Sequence, residues 1–185
     1  MTAATAGDLI VAAISWGNNS AVTCSDSQSN VYAVATTQYD STNNQSLAIC
    51  YAMNVKAGAT TVTATFGSSA THRRLAVHEY RNIALTGAVD VVAKNLVNGT
   101  TAANAITSTA AVTTVNGDLI FGAVMDDTGT TTITAWTGFT QRLSVNNKDT
   151  ATEDLVQATA GSIAATQTFS AAHRYLAQMV AFKRR

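Results

Sequence analysis

Apolar residues in this chain never hold a helical period long enough to make a helix. They come in short runs, some alternating with polar residues and some apolar on both faces, each closed by a polar turn. That pattern restricts the chain to an all-β architecture. The clearest alternation is Thr61-Val62-Thr63-Ala64-Thr65-Phe66, which puts Val62, Ala64 and Phe66 on one face of a strand and the three threonines on the other. Leu9-Ile10-Val11-Ala12-Ala13-Ile14 is apolar at every position and reads as a central strand. Further strands are expected over residues 22–24, 31–37, 47–53, 75–80, 89–97 and 119–125. Residues 17–20, 26–30 and 56–59 read as turns, and residues 39–45 as a polar loop. The chain has no proline, so its turns rest on Gly, Asn, Asp and Ser.

The second half repeats the first. Gly7-Asp8-Leu9-Ile10 recurs as Gly117-Asp118-Leu119-Ile120. Thr63-Ala64-Thr65-Phe66 followed by His72-Arg73-Arg74-Leu75-Ala76 recurs as Thr166-Gln167-Thr168-Phe169 followed by His173-Arg174-Tyr175-Leu176-Ala177. The reading is one domain over residues 1–185: an antiparallel, jelly-roll-like β-sandwich of two related halves, 7–83 and 117–185, joined by 84–116. Either half alone would bury a poor core. In this reading Gly7 and Gly117 open equivalent central strands, and His72 and His173 stand at matching strand starts.

Charge narrows the function classes. Charged residues make up 12% of the chain and the formal net charge is zero, against about 25% charged in an ordinary domain. No basic face is implied, so nucleic acid is not an expected partner. No apolar run has the length of a membrane span, so no membrane partner is expected either. The polar surface falls to Thr, Ser, Asn and Gln, a composition associated with work outside cells. Residues 1–6 lack a basic stretch and an apolar stretch, so a native Met1 implies no signal-peptide export.

Motifs for chemistry are sparse. No nucleophile elbow, phosphate loop or dinucleotide fingerprint is present, and the chain reads as non-enzymatic, with no catalytic residue and no cofactor. Glu153 and Asp154 are adjacent, so in a strand they point to opposite faces and cannot act together as acid and base. His78-Glu79 lacks the spacing that brings two histidines onto one helix face. His72 and His173, each followed by Arg, read as strand-end side chains covering apolar surface. No metal site is expected; Asp126-Asp127-Thr128-Gly129 is foremost a turn, with Asp126 and Asp127 as weak calcium candidates. Cys24 and Cys50 both fall in expected strands and read either as buried thiols or as one disulfide between neighbouring strands. A sugar ligand needs exposed flat rings, and the candidates are Trp16, Tyr39 and Trp136; the plainer reading of both tryptophans is that they close the ends of the core.

Several stretches carry a resemblance. They are Asp26-Ser27-Gln28-Ser29-Asn30-Val31-Tyr32, Glu79-Tyr80, Val89-Asp90, Gly117-Asp118-Leu119-Ile120-Phe121-Gly122, Gly138-Phe139-Thr140-Gln141-Arg142-Leu143, Thr152-Glu153-Asp154, and residues 161–182. In this order they resemble β-sandwich modules of large bacterial surface and secreted proteins. The resemblance implies a jelly-roll-like fold and no particular ligand; the chain departs from that class in its two cysteines and in lacking a neighbouring module or export signal. Two functions follow as expectations. The first is a virion structural protein, a phage capsid decoration or cement protein on the particle surface, whose partner is the capsid lattice or other copies of itself. The second is a secreted or cell-surface carbohydrate-binding or adhesion module, whose partner is a polysaccharide.

Overall fold

The computed structural model describes residues 1–98, 103–126, 132–135, 138–145 and 150–185. All its regular structure is strand, and the sheets are antiparallel. The first half contributes β1 (Leu9–Gly17), β2 (Val22–Asp26), β3 (Ala33–Asp40), β4 (Gln45–Ala52), β5 (Val62–Phe66) and β6 (Thr71–Tyr80). Then come β7 (Val89–Val97), β8 (Ala103–Thr107) and β9 (Ala111–Val112). The second half adds β10 (Asp118–Asp126), β11 (Ile133–Ala135), β12 (Thr140–Val145), β13 (Thr150–Gln157), β14 (Ser162–Ile163), β15 (Thr166–His173) and β16 (Tyr175–Phe182).

Two main sheets lie face to face. One runs β3-β4-β1-β6 and the other β12-β13-β10-β16-β7. Leu9, Val11 and Ala13 of β1 and Leu47 and Ile49 of β4 meet Leu119, Phe121, Ala123 and Met125 of β10 and Leu176, Val180 and Phe182 of β16 in one buried core. Each large side chain buried there contributes on the order of 1.5–3 kcal/mol. Two hydrogen bonds cross this core. Ser15 Oγ and Thr150 Oγ1 share one at 2.7 Å, and Gln178 Nε2 donates to the Leu47 carbonyl at 2.8 Å. They satisfy polar groups that would be costly to bury unpaired.

The outer faces are covered too, which explains why β1 and β10 are buried along their whole length. Ala12, Ile14 and Trp16 point away from the other main sheet and pack under a β2-β5 ribbon, against Val62, Ala64 and Phe66. The alternation read from the sequence of β5 is therefore real, with Thr63 and Thr65 exposed. On the far side Val124 packs beneath a β11-β15-β8 sheet through Ile133, Phe169 and Ile106, and Ile120 and Met179 pack beneath the β9-β14 pair. A strand covered on both faces has no polar face to offer, so its sequence is apolar throughout.

The strand order of β3-β4-β1-β6 reads the same as that of β12-β13-β10-β16, and the Gly-Asp strands β1 and β10 are interior in both sheets. Gly7 and Gly117 each sit just before these strands at φ +80° and +83°, a left-handed conformation that disfavours any side chain. The histidines do not match. His72 lies near the start of β6 at φ +48°, beside the irregularity opposite Ser15 and Gly17, whereas His173 is the last residue of β15. Chain pairing also places Ile14 opposite Leu75 but Val124 opposite Ala177, so Ala177, not Leu176, holds the register position of Leu75. Three further readings need correction. Tyr39 and Asp40 belong to β3 and Gln45 to β4, a continuous edge hairpin in which Tyr39 and Gln45 are half-buried and Asp40 is buried among hydrogen-bond donors. Val31 and Tyr32 precede β3, which starts at Ala33. Besides the expected strand over 89–97, which is β7 and completes one main sheet, the joining segment 84–116 holds two strands the sequence did not suggest: β8 pairs with β15 and β9 with β14.

Candidate functional site

The stacked sheets leave two lateral seams where edge strands meet. At the first, β3 and β7 run side by side in the same direction without pairing through their backbones. Lys94 Nζ donates to the Thr37 carbonyl at 3.0 Å, and Asn98 Nδ2 donates to Asp40 Oδ1 at 3.1 Å and to Thr42 Oγ1 at 3.4 Å. These bonds tie one end of the seam. The other end opens into a groove of about 690 Å³ lined by residues 34–37 of β3, residues 92–94 of β7, and Thr109 and Ala110. Val34 and Val92 stand at its rim, 43% and 44% exposed. Lys94 is the single charged residue in the lining. Asp40 anchors the tied end. Burial alone would raise its carboxyl, but hydrogen bonds from Asn43, Asn98 and Thr42 outweigh that and hold it below its ordinary value.

The opposite seam joins β6 to β12 and β13 through polar side chains. His78 Nε2 and Thr152 Oγ1 share a hydrogen bond at 2.9 Å. The Tyr80 hydroxyl donates to Asp154 Oδ2 at 2.7 Å, and Arg142 grips the same carboxylate with Nε at 2.7 Å and Nη2 at 2.9 Å. This bidentate pair is the strong geometry for a guanidinium and a carboxylate. Burial pushes His78 down to about 4, with the Arg142 charge lowering it further against the pull of Asp154. Burial and the bond to Asp154 push the Tyr80 hydroxyl up. Below the network lies a pocket of about 140 Å³ lined by Tyr80, Arg81, Ile83, Leu119, Arg142, Asp154, Val156 and Arg184.

A third polar feature lies at the Gly-Asp strand starts. Asp118 is fully buried beside Asp90, and burial followed by its interaction with that second carboxyl raises its own to about 6. Asp90 accepts from the Thr114 amide and hydroxyl and lies 3.8 Å from Lys183 Nζ. Asp8 is raised in the same manner, by burial and by a hydrogen bond with Glu79, with Arg81 Nε at 3.6 Å from its Oδ2. These groups are displaced by the packing of the fold, and none of them lines the β3/β7 groove.

The sequence candidates are scattered. Trp16 is 2% exposed and tilted against Phe66 at 5.4 Å between ring centroids, so its faces are covered and it offers no platform for a sugar. Tyr39 lies near the tied end of the first seam, where its hydroxyl donates to Asn44 Oδ1 at 3.0 Å. Trp136 and Asp127 lie outside the described residues. Asp126 ends β10 with a fully buried side chain, its Oδ1 3.2 Å from His173 Nδ1. Among the described residues no group of three His, Cys, Asp or Glu side chains is placed to hold a metal ion. Cys24 and Cys50 are free thiols in side-chain contact, Cys50 buried and Cys24 half-buried. Glu153 and Asp154 do point oppositely: Asp154 joins the Tyr80 and Arg142 network while Glu153 is buried beside Gly122. The residues that shape both seams, Val34, Val92, Lys94, Arg81 and Arg184, were not singled out by sequence. The usable signal was Lys183-Arg184-Arg185, a basic run in a chain with few charges.

No family model, curated protein or solved structure matches this chain.

Proposed function

We propose that the protein is a non-enzymatic docking domain, and in its most specific form a decoration protein held on the surface of a virus particle. The observation that carries this reading is the β3/β7 seam. Two sheet edges lie side by side there without pairing to each other, around a Val-, Ala- and Thr-lined groove whose one charge is engaged internally. An edge strand is a template for another strand, and a peptide laid along it gains main-chain hydrogen bonds while its alternate side chains enter the groove. A partner recognised this way needs shape and an open backbone more than charge. A rigid protein lattice offers both. The two halves are read in the same spirit as copies of one ancestral unit, a view supported by their shared strand order.

The test is sedimentation with the particle encoded beside the gene, run against insoluble polysaccharides. Wild type should travel with the particle. Val34→Glu together with Val92→Glu, both at exposed positions, should fold normally and bind at least about tenfold more weakly, the equivalent of about 1.4 kcal/mol. Retention on a polysaccharide without particle binding would move the reading to a carbohydrate-binding or adhesion module.

A further inference from the structure

We propose that the pocket between β6, β10, β12 and β13 is a binding site for a monoanionic carboxylate carried on a short apolar chain. The argument is one of charge matching. Three guanidinium groups, those of Arg81, Arg142 and Arg184, line this one pocket in a chain with only 11 Lys and Arg residues. Arg142 is neutralised by its two hydrogen bonds to Asp154, whose carboxylate is further saturated by Tyr80. Arg81 leans on Asp8. Arg184 has no ion-pair or hydrogen-bond partner for its side chain among the described residues. Counting Asp8 behind Arg81 together with Asp154 in the wall, three guanidinium groups face two carboxylates, which leaves one positive charge to match a ligand of charge minus one and disfavours a dianion beside Asp154.

The remaining walls set the ligand's body. Ile83, Leu119 and Val156 are apolar, and Val156 is 47% exposed at the mouth. The volume of about 140 Å³ is small beside the roughly 300–1,000 Å³ of sites for drug-sized ligands. It suits a carboxylate on a few carbon atoms. A guanidinium fork presents parallel N–H donors that fit the two oxygens of such a group. The same chemistry reaches the pocket from two sources, a free short-chain acid or a Glu side chain presented by another protein. The site is independent of the β3/β7 groove, from which it is separated by the width of the sheets.

The experiment follows arginine side-chain N–H resonances of the full chain at constant ionic strength. Titrants are butyrate, N-acetylglutamate amide and phosphate. Saturable shifts are expected with the carboxylates, at least about tenfold weaker in Arg184→Gln. Val156→Phe keeps all three arginines but fills the mouth, and should weaken binding similarly. Lys94→Gln, in the other seam, should leave it unchanged. Tighter binding of butyrate names a free acid as the source, and tighter binding of N-acetylglutamate amide names a presented side chain. Linear shifts, shifts equal in Arg184→Gln, or phosphate binding as tight as either carboxylate would overturn the assignment.

Discussion

His78 and Asp118 are buried titratable groups displaced in opposite senses, and each gives stability its own dependence on pH. His78 falls from an ordinary 6.5 to about 4 on folding, so the unfolded chain takes up its proton first. Its contribution is complete above pH 6.5 and is lost as pH falls through 4. Asp118 rises from 3.8 to about 6, so its contribution is complete below pH 3.8 and is lost as pH rises through 6. The two act in opposite directions over the same pH range and are separated by mutation. Relative to wild type, urea midpoints of His78→Gln should rise as pH falls from 6.5 to 4, and those of Asp118→Asn should rise as pH goes from 4 to 6. Parallel profiles for all three proteins would remove burial as the cause. The thiols are distinguished in a similar way. The Cys50 thiol donates toward Cys24, which lowers the Cys24 thiol against the opposing effect of burial, while Cys50 itself is raised. A thiolate is the nucleophile, so maleimide should label the half-buried Cys24 in the native protein and reach Cys50 only after unfolding. Peptide mapping that finds Cys50 modified first would contradict the packing around β4.

At the scale of elements, the Gly-Asp starts of β1 and β10 test whether backbone geometry or packing fixes the motif. At Gly117 an added Cβ would meet nothing within 4 Å, while φ is +83°. Gly117→Ala should therefore destabilise by about 1 kcal/mol from backbone strain alone, and Gly117→Asn by less, since Asn tolerates the left-handed region better. A larger loss for Asn than for Ala in urea titration would show that space, not φ, is limiting. This motif was legible in the sequence because a positive φ leaves a mark in residue type. The strands covered on both faces were legible for the same reason, as continuous apolar runs. What sequence missed has a physical pattern as well. Tyr39 and Asp40 read as loop because an edge strand needs few apolar residues; Asp40 is buried by hydrogen bonds from Thr42, Asn43 and Asn98 instead. β8 pairs with β15 across a sequence gap that no local window spans. The seam groove has no sequence signature, since it is made by the accident of which two edges lie opposite each other. Trp16 follows the plainer of its two readings: it closes one end of the core beneath the β2-β5 ribbon and is no surface ring.

For the whole molecule, the two seams predict different responses to salt, and that difference tests how the fold divides its work. The β3/β7 groove contains one charge, Lys94, already bonded to Thr37 within the chain. Partner binding there rests on apolar burial and main-chain hydrogen bonds, neither of which ions screen appreciably. The arginine pocket depends on an uncompensated charge at the protein surface, and exposed charges are screened over about 10 Å at 0.1 M salt. Raising sodium chloride from about 0.05 M to about 0.5 M should thus leave particle co-sedimentation almost unchanged while clearly weakening butyrate binding. The two measurements use the same protein, so a general loss of folding in salt would show in both. Particle binding that falls steeply with salt would locate the contact away from the β3/β7 seam, with the arginine pocket as the basic surface to test first. Mutation then decides between them. Arg184→Gln should abolish the salt-sensitive component, whereas Val34→Glu with Val92→Glu should leave it intact.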